Sequence, residues 1–168
     1  DGTNSIPALL TVTVYEGDTP TSDLYLTEVM YSPEINGFGY EWIEFYNPND
    51  IAIFVNSWSI ADTDEKDNIV SEKNEVITIP AKSVGILTSS PATFRETYVN
   101  YKYVFSVEDV AIGNGLGTSE TIILAKNSYN DVFTYTSEDG ANGNGKTLAR
   151  SCYNCADWNE AVSSPGTI

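Results

Sequence analysis

Apolar and polar residues alternate along this chain in short runs, and turn-forming clusters cut the runs apart. Ile6, Ala8, Leu10, Val12 and Val14 repeat at period two, interleaved with Thr11 and Thr13. The pattern returns over 24–31, 41–46, 52–61, 76–79, 84–87, 101–105, 121–125, 132–135 and 147–150. A period of two sends successive side chains to opposite faces of a strand. Between the runs lie Asn47-Pro48-Asn49-Asp50, the stretch 62–68, Asn114-Gly115 and Asn142-Gly143-Asn144-Gly145, all rich in residues that turns use. Many short strands with frequent turns predict an all-β sandwich or barrel. A single helix is expected over 91–98, with Ser90 as its N-cap and Pro91 at its first position.

Length and charge narrow the function. A chain of 168 residues is long enough to bury one sizeable core without staples. Its 24 acidic and 8 basic side chains give a net charge of −16, which opposes binding to polyphosphate and argues against a nucleic-acid partner. Histidine is absent, which removes the commonest general base and the commonest transition-metal ligand. No apolar run approaches the ~20 residues that a membrane-spanning helix needs. The sequence starts at Asp1 with no Met and no leader, which reads as a mature protein or a cut fragment.

The two cysteines stand as Cys152-Tyr153-Asn154-Cys155. This spacing fits a redox pair, half a zinc site or a small structural disulfide. The chain has no further Cys or His to complete a zinc shell, and its β-rich pattern lacks the βαβ setting of a thioredoxin-like site. A local disulfide between Cys152 and Cys155 is therefore expected, and with it an oxidising, extracellular or cell-surface location. So short a loop contributes about 2 kcal/mol on the chain-entropy model, enough to trim a loop but not to make a fold.

Several blocks occur in a specific order. They are Leu26-Thr27-Glu28-Val29-Met30-Tyr31-Ser32-Pro33, Glu41-Trp42-Ile43-Glu44-Phe45-Tyr46-Asn47 and Ser57-Trp58-Ser59-Ile60-Ala61-Asp62. Further on come 79–87, 117–124, Leu148-Ala149-Arg150, Asp157-Trp158 and Ser164-Pro165-Gly166. In order and spacing they resemble the lamin tail domain family over about residues 24–168. The resemblance implies an all-β, immunoglobulin-like β-sandwich with one short helix, serving as a non-catalytic module. In prokaryotes it implies secreted or surface proteins, where such domains stand beside hydrolase or adhesion domains. Residues 1–23 lie outside it and read as an extra N-terminal strand and linker. Trp42 and Trp58 are expected to wedge between the sheets, and Trp158 to pin the C-terminal segment. Glu28 and Glu44 are motif residues, expected to take backbone or arginine contacts, Arg150 being a candidate partner.

The N-terminal run has no hairpin partner, and the polar linker 16–23 lets it leave its neighbour. Burying Ile6, Leu10, Val12 and Val14 yields roughly 6–12 kcal/mol, whereas ordering about ten residues costs ~10–20 kcal/mol. Apolar burial alone is insufficient, so the run needs its own sheet or a groove with two open edges. Ile6, Ala8, Leu10, Val12 and Val14 are accordingly expected to form a subunit interface by strand addition. A head-to-tail version gives a homo-oligomeric filament. The alternative is a binding or adhesion module of a larger secreted or surface protein. Calcium is the one cofactor the sequence suggests, because Asp62, Asp64 and Asp67 concentrate oxygen ligands in one turn. The spacing fails the EF-hand template, and a solvated acidic turn is the competing reading.

Overall fold

The computed structural model describes residues 23–71 and 78–167. The N-terminal run at Ile6–Val14 lies outside the described residues. The strands, in chain order, are β1 (Tyr25–Met30), β2 (Trp42–Asn47), β3 (Ile53–Phe54), β4 (Ser59–Ala61), β5 (Lys66–Val70), β6 (Thr78–Ile79), β7 (Ser83–Thr88), β8 (Val104–Val107), β9 (Ser119–Lys126), β10 (Tyr129–Thr136), β11 (Lys146–Arg150) and β12 (Trp158–Val162). Helix α1 (Pro91–Thr97) joins β7 to β8. Ser90 caps it by accepting from the Thr93 amide, and Pro91 sits at its start, where a missing N–H costs nothing.

Ten strands form one curled sheet in the order β10-β9-β4-β5-β8-β7-β2-β1-β11-β12, while β3 and β6 make a small separate ribbon. The curl wraps an apolar core of Leu26, Ile43, Phe45, Trp58, Ile60, Leu124 and Leu148, all 0–1% exposed. This is the all-β sandwich the alternation predicts. Within β2, Ile43 and Phe45 point into that core, and the opposite face carries Trp42 and Glu44. Trp42 therefore does not lie between the two sheet layers. It packs with Met30, Ile86, Phe94 and Val104 in a second cluster beneath α1. Trp58 does lie in the main core, edge-on to Tyr129.

Two strands replace expected loop. β5 begins inside the stretch that reads as an acidic turn, and there Asp67 is 2% exposed. Its polar sequence is strand because β4 and β8 flank it and take up its backbone groups. β12 shows little alternation; its register with β11 is set by pairs such as Ala149 with Asn159 and Arg150 with Trp158. The run expected at 52–61 is broken instead into β3 and β4.

Candidate functional site

The two ends of the curled sheet, β10 and β12, face one another across a groove of about 870 Å³. Its β10 wall is residues 131–134; its other wall comes from β11, β12 and the disulfide loop. Among the described residues, neither end strand is paired on its outer side. The loop between β9 and β10 has two residues, so the flanking Lys126 and Tyr129 form a hydrogen-bonded pair. The amides and carbonyls of Asn130, Val132 and Thr134 must then point to the open edge. On the other side, the Ser151 amide bonds the Asp157 carbonyl at 2.9 Å. Continuing that alternation along β12 turns the backbone of Trp158 and Glu160 outward.

Side chains tie the walls together at the groove floor. Arg150, its side chain only 6% exposed, makes two bonds to Asp131, at 3.0 and 3.1 Å, and a third to the Tyr153 carbonyl. It also lies over the Trp158 ring, and that ring stacks on Phe133 of β10 at 3.7 Å. Trp158 thus joins β12, the last strand of the chain, to β10. Arg150 does not serve Glu28 or Glu44. Its partner, Asp131, escapes sequence reasoning because it stands on a strand with no motif around it. The Nε of Arg150 is buried with no partner among the described residues. The expected disulfide forms between Cys152 and Cys155, closing the loop that carries Tyr153.

Glu28 and Glu44 pair across β1 and β2 on the outer face of the sheet. A bulge at Thr27 brings its hydroxyl to Glu44 at 2.6 Å. The chain's own C-terminal segment covers the pair: the Ser164 amide donates to Glu28 at 2.9 Å and the Gly166 amide to Glu44 at 2.5 Å. Thr147 donates to Glu28 as well. These carboxylates hold backbone and side chains of their own domain, as structural groups do. Burial pushes the Glu44 carboxyl up to about 7, against the bonds from Thr27 and Gly166. Burial likewise raises Glu41 to about 7, although the Leu116 amide donates to it. It also raises Glu28.

A folded pKa above the ordinary carboxyl value means that the native state holds its protons more tightly between about pH 4.5 and 7. Stability then falls as pH rises through that window and levels off above it. Glu160, held near 2 by the Ala141 amide, Lys146 and Asn144, titrates below the window. Each tenfold gain in proton affinity on folding is worth roughly 1.4 kcal/mol, and each kcal/mol moves the melting temperature of a chain this size by ~2–4 °C. Melting at pH 5 is therefore expected to lie above melting at pH 8 by at least about 4 °C. Glu44→Gln flattens the profile. Equal or higher melting at pH 8 contradicts this reading.

The acidic turn is built differently from the expected set. Asp62 uses its carboxylate to accept from the Asp64, Glu65 and Asn114 amides, and so shapes the loop. Gly113, at φ +56°, passes so close that a Cβ there would lie 1.9 Å from an Asp62 oxygen. The Gly113 amide donates to Asp67 at 2.6 Å. The Asp64 carboxylate accepts from the Asn114 side chain, at 3.4 Å. Among the described residues, Asp67 is the one of the three expected ligands that falls in a cluster, with Glu65 and Asp109, whose carboxylate oxygens lie within 4.8 Å of one another. Asp109 comes from the β8–β9 connection, about forty residues away in sequence, and no local spacing reveals it.

No helix among the described residues is long and apolar enough to cross a membrane. Neither the curated proteins nor the solved structures give a match to the chain. The family model described as Lamin Tail Domain matches residues 9–148, starting within the N-terminal alternating run and ending in β11. The match covers most of the chain, although its bounds differ from the expected 24–168: it takes in residues 9–23, which the motifs leave outside, and stops before the blocks at 157–158 and 164–166. The observed fold is the all-β one that the motifs imply, and the chain belongs to the lamin tail domain family.

Proposed function

We propose that this protein is a non-catalytic structural subunit of an extracellular filament, assembled head to tail by strand donation. Residues Ile6, Ala8, Leu10, Val12 and Val14 of one copy enter the groove between β10 and β12 of the next. The observation that carries this reading is the groove itself, with outward-facing backbone groups on both sides. It supplies the two open edges that the N-terminal run needs on energetic grounds. The Cys152–Cys155 disulfide supports an oxidising, extracytoplasmic setting. The net charge of −16 argues against nucleic acid as a partner. Electron microscopy of the native material tests the reading. Regular fibres with a repeat of about one domain are expected, and dispersed single particles under all conditions contradict it.

A second reading, a calcium-dependent binding or adhesion module of a larger secreted or surface protein, draws on the meeting of Glu65, Asp67 and Asp109. Three carboxylates from two segments offer calcium part of the six to eight oxygens it takes, the remainder coming from water or a partner. Calorimetric titration of the chelator-treated protein is expected to give binding heat at millimolar calcium. Asp109→Asn is expected to weaken that binding at least about tenfold by removing a ligand charge. No heat from the unaltered protein ends this reading and leaves strand donation untouched.

A further inference from the structure

We infer that the strand received by the β10–β12 groove runs antiparallel to both walls at once, closing the curled sheet with Leu10, Val12 and Val14 facing inward. This rests on the strand-donation reading only for which copy supplies the strand. The direction follows from the topology. Of the nine neighbouring pairs in the ten-stranded sheet, eight are antiparallel and one, β7 with β8, is parallel. Eight reversals return the chain to its starting direction, so β10 and β12 run the same way around the curl. A single inserted strand can therefore pair antiparallel with both, the arrangement with the better-aligned hydrogen bonds.

The faces agree with this. Asp131 and Phe133 of β10 point to the floor, as do Arg150 of β11 and Trp158 of β12, since they contact one another there. Asn130, Val132 and Thr134 are exposed on the opposite face. A strand alternating Leu10, Val12, Val14 with Thr11 and Thr13 matches this division, apolar towards the floor and polar towards water.

Position fixes the ends. β1 is two reversals from β12 and so runs parallel to it, entering at Tyr25, which lines the groove. An antiparallel donor finishes at that same end, near the start of β10, with its linker leaving beyond Tyr25. The eight residues of 16–23 reach at most ~29 Å. That is long enough to carry the donor's body clear of the acceptor, and also long enough to return to β1 of the same copy.

Cysteine pairs in the full-length protein test the direction and separate it from the choice of copy. Thr13→Cys is combined in turn with Asn130→Cys and Thr136→Cys, and Leu9→Cys with Asn159→Cys, because the Phe133–Trp158 stack sets 159 about level with 134, four residues from 130; disulfides are mapped by mass spectrometry after mild oxidation. All three partner sites are exposed, so the fold tolerates them, and each single variant serves as a control. Crosslinks from 13 to 130 and from 9 to 159 are expected, in at least about tenfold excess over 13 to 136. A dominant 13 to 136 crosslink, a crosslink to one wall only, or none, overturns the inference. Non-reducing electrophoresis then reads the copy: a ladder of multimers supports donation between copies. Crosslinked monomers leave the antiparallel strand standing and remove the filament.

Discussion

Removing residues 1–16 is expected to abolish assembly and leave soluble monomers, seen as a single small species by light scattering and as a loss of fibres by microscopy. The expectation rests on magnitudes. Four buried apolar side chains contribute roughly 6–12 kcal/mol, short of the ~10–20 kcal/mol that ordering the run costs. The groove offers outward amides and carbonyls from three residues of β10 and two of β12, and so room for about ten new hydrogen bonds of about 1 kcal/mol each. Neither contribution suffices alone; together they exceed the ordering cost by a few kcal/mol. An open edge of one strand would supply too few bonds. Deletion removes both contributions at once, so the effect is all or none. Continued polymer formation by the truncated chain contradicts the reading outright.

The second large effect is at Arg150. Arg150→Ala is expected to cost about 3–5 kcal/mol, the usual loss when one partner of a buried ion pair is removed. It strands Asp131, breaks the bond to the Tyr153 carbonyl inside the disulfide loop, and uncovers Trp158. At ~2–4 °C per kcal/mol the melting temperature falls by roughly 6–20 °C, measurable by calorimetry or chemical denaturation. Because Asp131 also accepts from the Leu26 amide at 2.8 Å, the loss spreads to the start of β1. A change below about 1 kcal/mol would mean that this pair is not the tie between the two ends of the sheet.

How much of this was legible in the sequence depended on distance along the chain. Local signals read well. Alternation marked β1, β2, β7, β9 and β11, the Ser90-Pro91 pair marked the start of α1, and the short cysteine spacing marked the disulfide. Signals that exist only after folding were lost. β5 is strand although Lys66, Asp67 and Asn68 look like a turn, because flanking strands satisfy its backbone. Trp42 and Trp58 stand in similar alternating runs, yet only placement of α1 over one face of the sheet tells them apart. Asp131 and Asp109, the partners that matter at Arg150 and Asp67, join from segments 19 and about 40 residues away, and nothing near them in the sequence announces the meeting. The sheet's two open edges were foreseen only as a need of the N-terminal run, not as a place.

Amide hydrogen exchange at the open edges tests the central claim most directly. In the assembled full-length protein, the amides of Val132, Thr134, Trp158 and Glu160 are expected to exchange at least about a hundredfold more slowly than in the protein lacking residues 1–16, while core amides such as Ile43 and Leu87 stay protected in both. If those four edge amides exchange equally fast with and without the N-terminal residues, nothing from that segment fills the groove and the filament reading fails.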